Sequence, residues 1–189
     1  SEELFTLFEQ RALMAQAELL SINLISLVLK EQNIKHHVLP ALDYMRLGRD
    51  AEPDMLYIKG HLGDLLKEAP KDHIYITQGY ICRNAYGEID DLHKGGSDFT
   101  AAIIGATTNA EEIQIWADVD VMQNNDPKYI SGTKTIESVS FDEAAELTYF
   151  GAKILHPTCV LPAKLAGVPV RLKNTLKPED KGTLISNET

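Results

Sequence analysis

Residues 94–119 read Lys-Gly-Gly-Ser-Asp-Phe-Thr-Ala-Ala-Ile-Ile-Gly-Ala-Thr-Thr-Asn-Ala-Glu-Glu-Ile-Gln-Ile-Trp-Ala-Asp-Val. A paired-glycine turn, an amphipathic helix and a strand follow one another in this run. Phe99, Ala102, Ile103 and Ala106 fall at i, i+3, i+4 and i+7, which is one face of a helix. Ile113 to Val119 has the apolar run of a strand. Working outward, Ile74-Tyr75-Ile76 reads as a buried strand that ends in Thr77-Gln78-Gly79. Downstream, Ser140 and Glu143 form a capping box for a helix running to about Phe150, with Gly151 as its stop. Pro157 to Ala166 reads as a further helix, Val168 to Leu172 as a strand, and Gly182 onward as a short terminal strand and tail. At the front, Leu4, Phe5, Phe8, Leu13, Leu20, Leu24, Leu27 and Val28 trace an apolar stripe at helical spacing to about Gln32. Val38-Leu39 is a short strand, Gly48 to Pro53 a polar loop, and Ile58 to Ala69 a helix closed by Pro70. Strands alternating with helices predict an α/β fold with a largely parallel sheet covered on both faces. The length, 189 residues without an internal repeat or low-complexity linker, is that of one domain.

Composition removes several function classes. With 18 Lys+Arg against 28 Asp+Glu, the net charge is −10, the wrong sign for a nucleic-acid binder or a protein held on anionic lipid. Leu19 to Leu29 is the longest apolar stretch and is interrupted by Ser21, Asn23 and Ser26, so no membrane span is expected. No signal peptide is visible, and Cys82 and Cys159 read as reduced thiols in a cytoplasmic protein. The cysteines and the six histidines show no metal-ligand spacing, and His36-His37 read as strand-edge residues, so no metal-ligating set is expected.

In parallel α/β sheets ligands bind at the carboxyl ends of strands, and three polar clusters fall there. The first is Thr77-Gln78-Gly79. The second is Lys94-Gly95-Gly96-Ser97-Asp98, where glycines let backbone N–H groups approach an anion at a helix N-terminus and Lys94 adds a formal charge. Asp98 would repel a phosphate unless a divalent cation such as magnesium, or a cationic substrate group, lay between them. The same residues also suit a glycine turn with Ser97 or Asp98 as an ordinary N-cap. The third cluster, Asp118-Val119-Asp120 with Asn124 to Lys128, suits either a nucleotide's sugar and phosphates or an Asx-rich turn ended by Pro127. Lys153 at a helix end suits nucleotide binding or capping of the last carbonyls. Glu18 lies on or beside the apolar face of the first helix, at the edge of the stripe or inside a polar site.

Taken together, these strings resemble the aspartate kinases of the amino-acid kinase family. Lys94 to Ala102 is similar to that family's Gly-Arg-Gly-Gly-Ser-Asp signature, and Ile115 to Asp120 with Asn125 to Lys128 resembles its nucleotide segment. Ser140 to Pro157 is similar almost residue for residue, and Pro169 to Thr175 with Gly182-Thr183-Leu184 resembles the closing strands. The resemblance implies a three-layer αβα sandwich around a mainly parallel sheet, and transfer of the ATP γ-phosphoryl group to the β-carboxylate of L-aspartate with Mg2+ accompanying the nucleotide. It places Asp98 and Lys94 in the catalytic role. Glu18, Thr77, Gln78, Gly79, Gly95, Gly96 and Ser97 would face the substrate. Ala117, Asp118, Gln123, Asp126, Lys128 and Lys153 would surround the nucleotide. It further implies a homo-oligomeric parent in lysine, threonine and methionine synthesis.

The chain also departs from the family pattern. The opening strand with its Lys-Phe-Gly-Gly-Thr-Ser type motif and the ACT regulatory domains have no counterpart in residues 1–189, so the chain reads as the central and C-terminal part of a catalytic domain, poorly active alone. Lys94 stands where an arginine is usual and cannot make a bidentate fork to a carboxylate. Ala117 stands for a usual threonine and Val121 for a usual glycine. Two alternatives follow from these departures: a non-catalytic nucleotide-binding or assembly module, and a kinase for another amino acid or UMP.

Overall fold

Thr6 opens the first helix with a capping box: its hydroxyl accepts from the Glu9 N–H while the Glu9 carboxylate accepts from the Thr6 backbone N–H and hydroxyl. Helix α1 then runs Leu7–Glu31 without an interior Gly or Pro. The computed structural model describes residues 6–93, 95–118, 122, 136–149 and 157–188, and the chain divides into two compact units, Ser1–Ser97 and Asp98–Thr189.

In the first unit α1 is followed by β1 (His36–Val38), the short α2 (Ala41–Tyr44), α3 (Met55–Glu68), β2 (Ile74–Ile76), β3 (Ile81–Arg83) and β4 (Ile89–Asp91). β1 and β2 pair in parallel, His36 opposite Ile74, and β3 and β4 form an antiparallel hairpin, Ile81 opposite Asp91. Asn84 builds the hairpin turn by accepting from the Tyr86 and Glu88 N–H groups through its side-chain oxygen. Asp54 caps α3 by accepting from the Tyr57 N–H, and Ile58 and Leu62, four apart, turn its apolar face inward. The strand Ile74–Ile76 is less covered than its sequence suggests: Ile74 is exposed at the end of a two-stranded sheet.

The helix expected to about Gln32 is present, and its apolar stripe lies on the exposed side. Leu13, Leu20, Leu24, Leu27 and Val28 are exposed, and the half-buried side carries Arg11, Glu18, Leu19, Ile22, Ser26 and Leu29 around the buried Ala15. That side meets β1 and β4, with polar fasteners: Arg11 pairs with Asp90 at 2.9 Å, and Ser26 hydrogen-bonds His36 at 2.8 Å. The sequence reading expects no membrane span; by length and composition alone, α1 is long and apolar enough to be one. Its polar interruptions are uncharged, and Glu18 is the sole charge between Arg11 and Lys30.

In the second unit α4 (Gly96–Thr108) leads to β5 (Ile113–Ala117), β6 (Ser138–Ser140), α5 (Phe141–Tyr149), a 3-10 turn at Pro157–Cys159, α6 (Leu161–Ala166), β7 (Val170–Asn174) and β8 (Thr183–Ser186). Its sheet runs β5-β7-β8-β6, parallel at β5/β7 and β6/β8 and antiparallel at β7/β8. Ile113, Val139, Phe141, Val170, Leu172 and Ile185 form its core with Ala102 of α4. Each such fully buried side chain contributes roughly 1.5–3 kcal/mol. Phe99, Ala102 and Ile103 are buried as the helical spacing predicts. The Ser140–Glu143 capping box is present, with the Ser140 hydroxyl donating to and its backbone N–H bonded by the Glu143 carboxylate. Both cysteines are free and buried. The predicted α/β alternation is thus observed; the antiparallel hairpin β3–β4, the short α2 and the three-residue β6 are additions to it.

Candidate active site

Thr77, Gln78 and Gly79 follow β2 directly. The Tyr44 hydroxyl hydrogen-bonds the Thr77 hydroxyl at 2.8 Å, and burial pushes the Tyr44 phenol up to about 12. Gln78 is buried, and its side-chain oxygen accepts from the Ala41 N–H at 2.8 Å. Pro40, the N-cap of α2, supplies no side-chain bond, so Gln78 satisfies a donor that the short helix would otherwise leave orphaned. Gly79 meets the glycine-rich segment: a Cβ on it would lie 2.7 Å from the Ser97 Cβ. Two of the three polar clusters therefore touch, through a position where any side chain would intrude.

The glycine pair is required by its backbone. Gly95 and Gly96 have φ of +62° and +57°, and His93 just before them is also left-handed at +54°. The loop is anchored at its upstream end by charge. Arg11 reaches Asp90 at 2.9 Å and Asp91 at 3.9 Å, and His93 contacts both carboxylates. Asp90, Asp91 and His93 also bring ligand atoms within 4.8 Å of one another. The Arg11 guanidinium pairs with both carboxylates, which makes this cluster an ion-pair network holding β4 to α1. Glu18 lies two turns beyond Arg11 on the same half-buried side of α1.

In the second unit, Asp98 occupies the first turn of α4, where the helix dipole favours an anion. Burial raises its carboxyl above the usual range, and no cationic side chain among the described residues offsets that burial. The buried Cys159 thiol is pushed up first by burial and then by the Asp98 carboxylate. Ala117 ends β5, and its carbonyl accepts from the Thr175 N–H and hydroxyl at 2.8 and 3.1 Å; Asp118 follows, exposed. Lys94, Gln123, Asp126, Lys128 and Lys153 lie outside the described residues.

Sequence reasoning missed Tyr44 and the Arg11–Asp90–Asp91 network. Tyr44 left no signal, since α2 is too short for periodicity. Arg11 left a weak one: it stands seven residues before Glu18 on a helix with few charges.

The sequence matches the amino acid kinase family over residues 1–174. It is 35% identical over 181 residues to the lysine-sensitive aspartokinase 3 of Escherichia coli, covering 94% of this chain and 40% of that protein. It is 45% identical over 126 residues to the chloroplastic aspartokinase 3 of Arabidopsis thaliana, covering 66% of this chain and 22% of that one. The crystal structure of E. coli aspartokinase III with aspartate and ADP superimposes with a TM-score of 0.88 at 31% identity, over 99% of this chain and 42% of that chain. The form with lysine and aspartate gives 0.89, also at 31% identity, over 99% and 43%. The chain thus spans about two-fifths of the length of these E. coli relatives. From the family match and the shared α/β architecture, this chain belongs to the amino acid kinase family and has its fold.

Proposed function

We propose that the chain carries acceptor and nucleotide surfaces of a kinase that phosphorylates the β-carboxylate of L-aspartate from ATP, giving 4-phospho-L-aspartate and ADP. The observation that carries this reading is the contact of Gly79 with Ser97, which lines up Thr77–Gly79 beside the glycine pair as one wall. The left-handed Gly95 and Gly96, at the start of α4, would present backbone N–H groups to an anionic acceptor. Glu18 offers a carboxylate to the substrate ammonium group. Gln78 keeps the wall in place through Ala41, and Tyr44 fixes the Thr77 hydroxyl.

In the proposed reaction an oxygen of the aspartate β-carboxylate attacks the γ-phosphorus while the bond to the β,γ-bridging oxygen breaks. The protein's part is to position the reactants and offset charge. Lys94 and Asp98 would organise the transferring group, and Ala117, Asp118, Gln123, Asp126, Lys128 and Lys153 would hold the nucleotide. Asp98, half-buried without a described cation, fits a hard divalent ion. Mg2+ bound with the nucleotide would supply charge neutralisation there. The enzyme would act as a homo-oligomer in the cytoplasm, and 1–189 would be part of its catalytic domain.

Calorimetric titration with MgADP and with L-aspartate tests the reading. Saturable binding of both is expected, with Lys153→Ala abolishing the nucleotide isotherm alone and Glu18→Gln weakening aspartate alone. A well-folded chain that binds neither, or that takes UMP or another amino acid in place of aspartate, would refute it.

A further inference from the structure

Two left-handed residues that are not glycine flank the two strings of the acceptor wall. Tyr80, directly after Gly79, has φ +70°, and His93, just upstream of the glycine pair, has φ +54°. Histidine tolerates this region better than most residues, whereas a bulky tyrosine is an outlier there. Such residues persist only where their surroundings over-determine them. Here the common surrounding is one carboxylate. Asp91, at the end of β4, accepts from the Tyr80 hydroxyl and from the His93 backbone N–H at 2.8 Å, and its carboxylate lies 2.5 Å from His93 Nδ1. The Tyr80 carbonyl adds a backbone tie by accepting from the Leu92 N–H at 2.9 Å. Arg11 of α1 approaches the same carboxylate at 3.9 Å and the neighbouring Asp90 at 2.9 Å. The Asp91 side chain is 14% exposed, so water competes little for these contacts. Glu18 stands two turns along α1 on the side that carries Arg11. Asp91 therefore meets a side chain from each of the three segments that the acceptor reading uses.

We propose that Asp91 is a positioning residue for the acceptor site: its carboxylate holds the turn after Gly79 and the turn before Gly95 in one geometry and ties both to α1. The inference rests on the reading of this wall as the L-aspartate site. Gly79 approaches Ser97 so closely that a Cβ would stand 2.7 Å from the Ser97 Cβ, so a small rotation at either left-handed residue opens or closes the wall. Both rotations are resisted at one group. Without it, Tyr80 and His93 are free to relax toward ordinary backbone angles, and the glycine N–H groups lose their common aim. A misplacement of about 1 Å at a distance from the chemistry weakens a site by on the order of 100-fold. Asp90 keeps its own pair with Arg11, so α1 stays attached to β4 when Asp91 is replaced.

Calorimetric titrations with L-aspartate and with MgADP, beside amide NMR of the ligand-free chain, test the role. Asp91→Ala should weaken L-aspartate about 10-fold or more and leave MgADP affinity within about twofold, since the proposed nucleotide residues begin at Ala117. Tyr80→Phe keeps the ring and removes one bond, so it should fold normally and weaken L-aspartate roughly 3–10-fold. Added to Asp91→Ala it should have no further effect, because its partner is already gone. His93→Gly suits the left-handed backbone and removes only the imidazole, and it should weaken L-aspartate as well. His93→Asn tolerates the same backbone and keeps a donor for Asp91, so it should restore most of the affinity. A merely structural histidine would make glycine the better residue. In each weakened variant the amide resonances of Gly79, Gly95 and Gly96 should move together. Unchanged L-aspartate affinity in Asp91→Ala and Tyr80→Phe, an equal loss for MgADP, or glycine resonances that stay in place would overturn the proposal. If the unsubstituted chain binds no L-aspartate, the functional reading falls and the glycine resonances decide the role of Asp91 by themselves. Movement of all three in Asp91→Ala then upholds the shared geometry, and movement at one end or at neither overturns it.

Discussion

Replacing Gly79 by alanine would set a Cβ 2.7 Å from the Ser97 Cβ and 3.0 Å from the Ser97 Cα. Carbon atoms rest at about 3.5–4.0 Å, so one segment must move by roughly 1 Å. The second contact is backbone at the start of α4, and a side-chain rotation cannot relieve it. Overpacking of this kind costs about 1–3 kcal/mol. For a chain of this size each kcal/mol corresponds to roughly 2–4 °C, so Gly79→Ala should melt about 4–8 °C lower if the cost is near the middle of that range. Gly96→Ala is the control. It meets nothing within 4 Å, so only its left-handed φ of +57° is charged against it. That is about 1–2 kcal/mol without steric displacement. Ser97→Gly removes the nearer clashing atom, so the double variant Gly79→Ala/Ser97→Gly should be more stable than the sum of the single changes by about 1 kcal/mol. Thermal melts followed by circular dichroism and aspartate titrations on the four variants complete the test. If Gly79→Ala is neutral, or if the double variant is strictly additive, the two segments do not touch and the wall is wrongly drawn.

Arg171 donates to the Glu112 carboxylate at 2.8 Å, and this bond is the chief reason the carboxyl lies below its ordinary range. An acid whose folded value is depressed adds stability above its unfolded value, about 4.3, and loses it as pH falls through the folded one. Arg171→Ala should therefore cost about 0.5 kcal/mol in urea unfolding at pH 7, discounted for exposure, and progressively less below pH ~4; an equal cost at pH 3 would contradict this. Gly182 has φ +72° and an added Cβ would lie 2.0 Å from the Leu172 carbonyl oxygen. Gly182→Ala should cost roughly 2–5 kcal/mol against about 1–2 for Gly87→Ala, measured as a shift of the urea midpoint. Gly87 is left-handed too, at +84°, but faces open space. Tyr44→Phe removes the hydroxyl bonded to Thr77 and should lose about 1 kcal/mol. In the unsubstituted protein, ultraviolet titration should show no Tyr44 phenolate until near pH 12.

Local chemistry made much of this fold legible from residues alone. A serine three positions before a glutamate specifies a helix start whatever surrounds it, and Ser140 and Glu143 form that start. Phe99, Ala102 and Ile103 share a face because of the helical repeat, and that face is buried. The glycine pair at 95–96 was readable for the same reason, since only glycine takes successive left-handed residues without strain. Ile74–Ile76 was visible as an apolar run, whereas Arg83, Asp90, Asp91, Ser138 and Ser140 break any such run in the equally short β3, β4 and β6, which were missed.

What tertiary structure decided is which face of an element is used and by what. Helix α1 is apolar on both sides, so periodicity marks a stripe but cannot say which side docks; the ion pair of Arg11 with Asp90 and the bond of Ser26 to His36 make that choice across 79 and 10 residues of chain. Gln78 stood in a ligand-binding string, yet its side chain serves Ala41, 37 residues away, a demand that exists only once α2 has formed with a proline at its N-cap. The approach of Gly79 to Ser97 is likewise a property of two segments brought together. Sequence by itself determined the α/β order, the caps and the glycine turn, because those depend on neighbours along the chain. Docking side, buried partners and the join between the polar segments depend on neighbours in space, and only the folded chain supplies them.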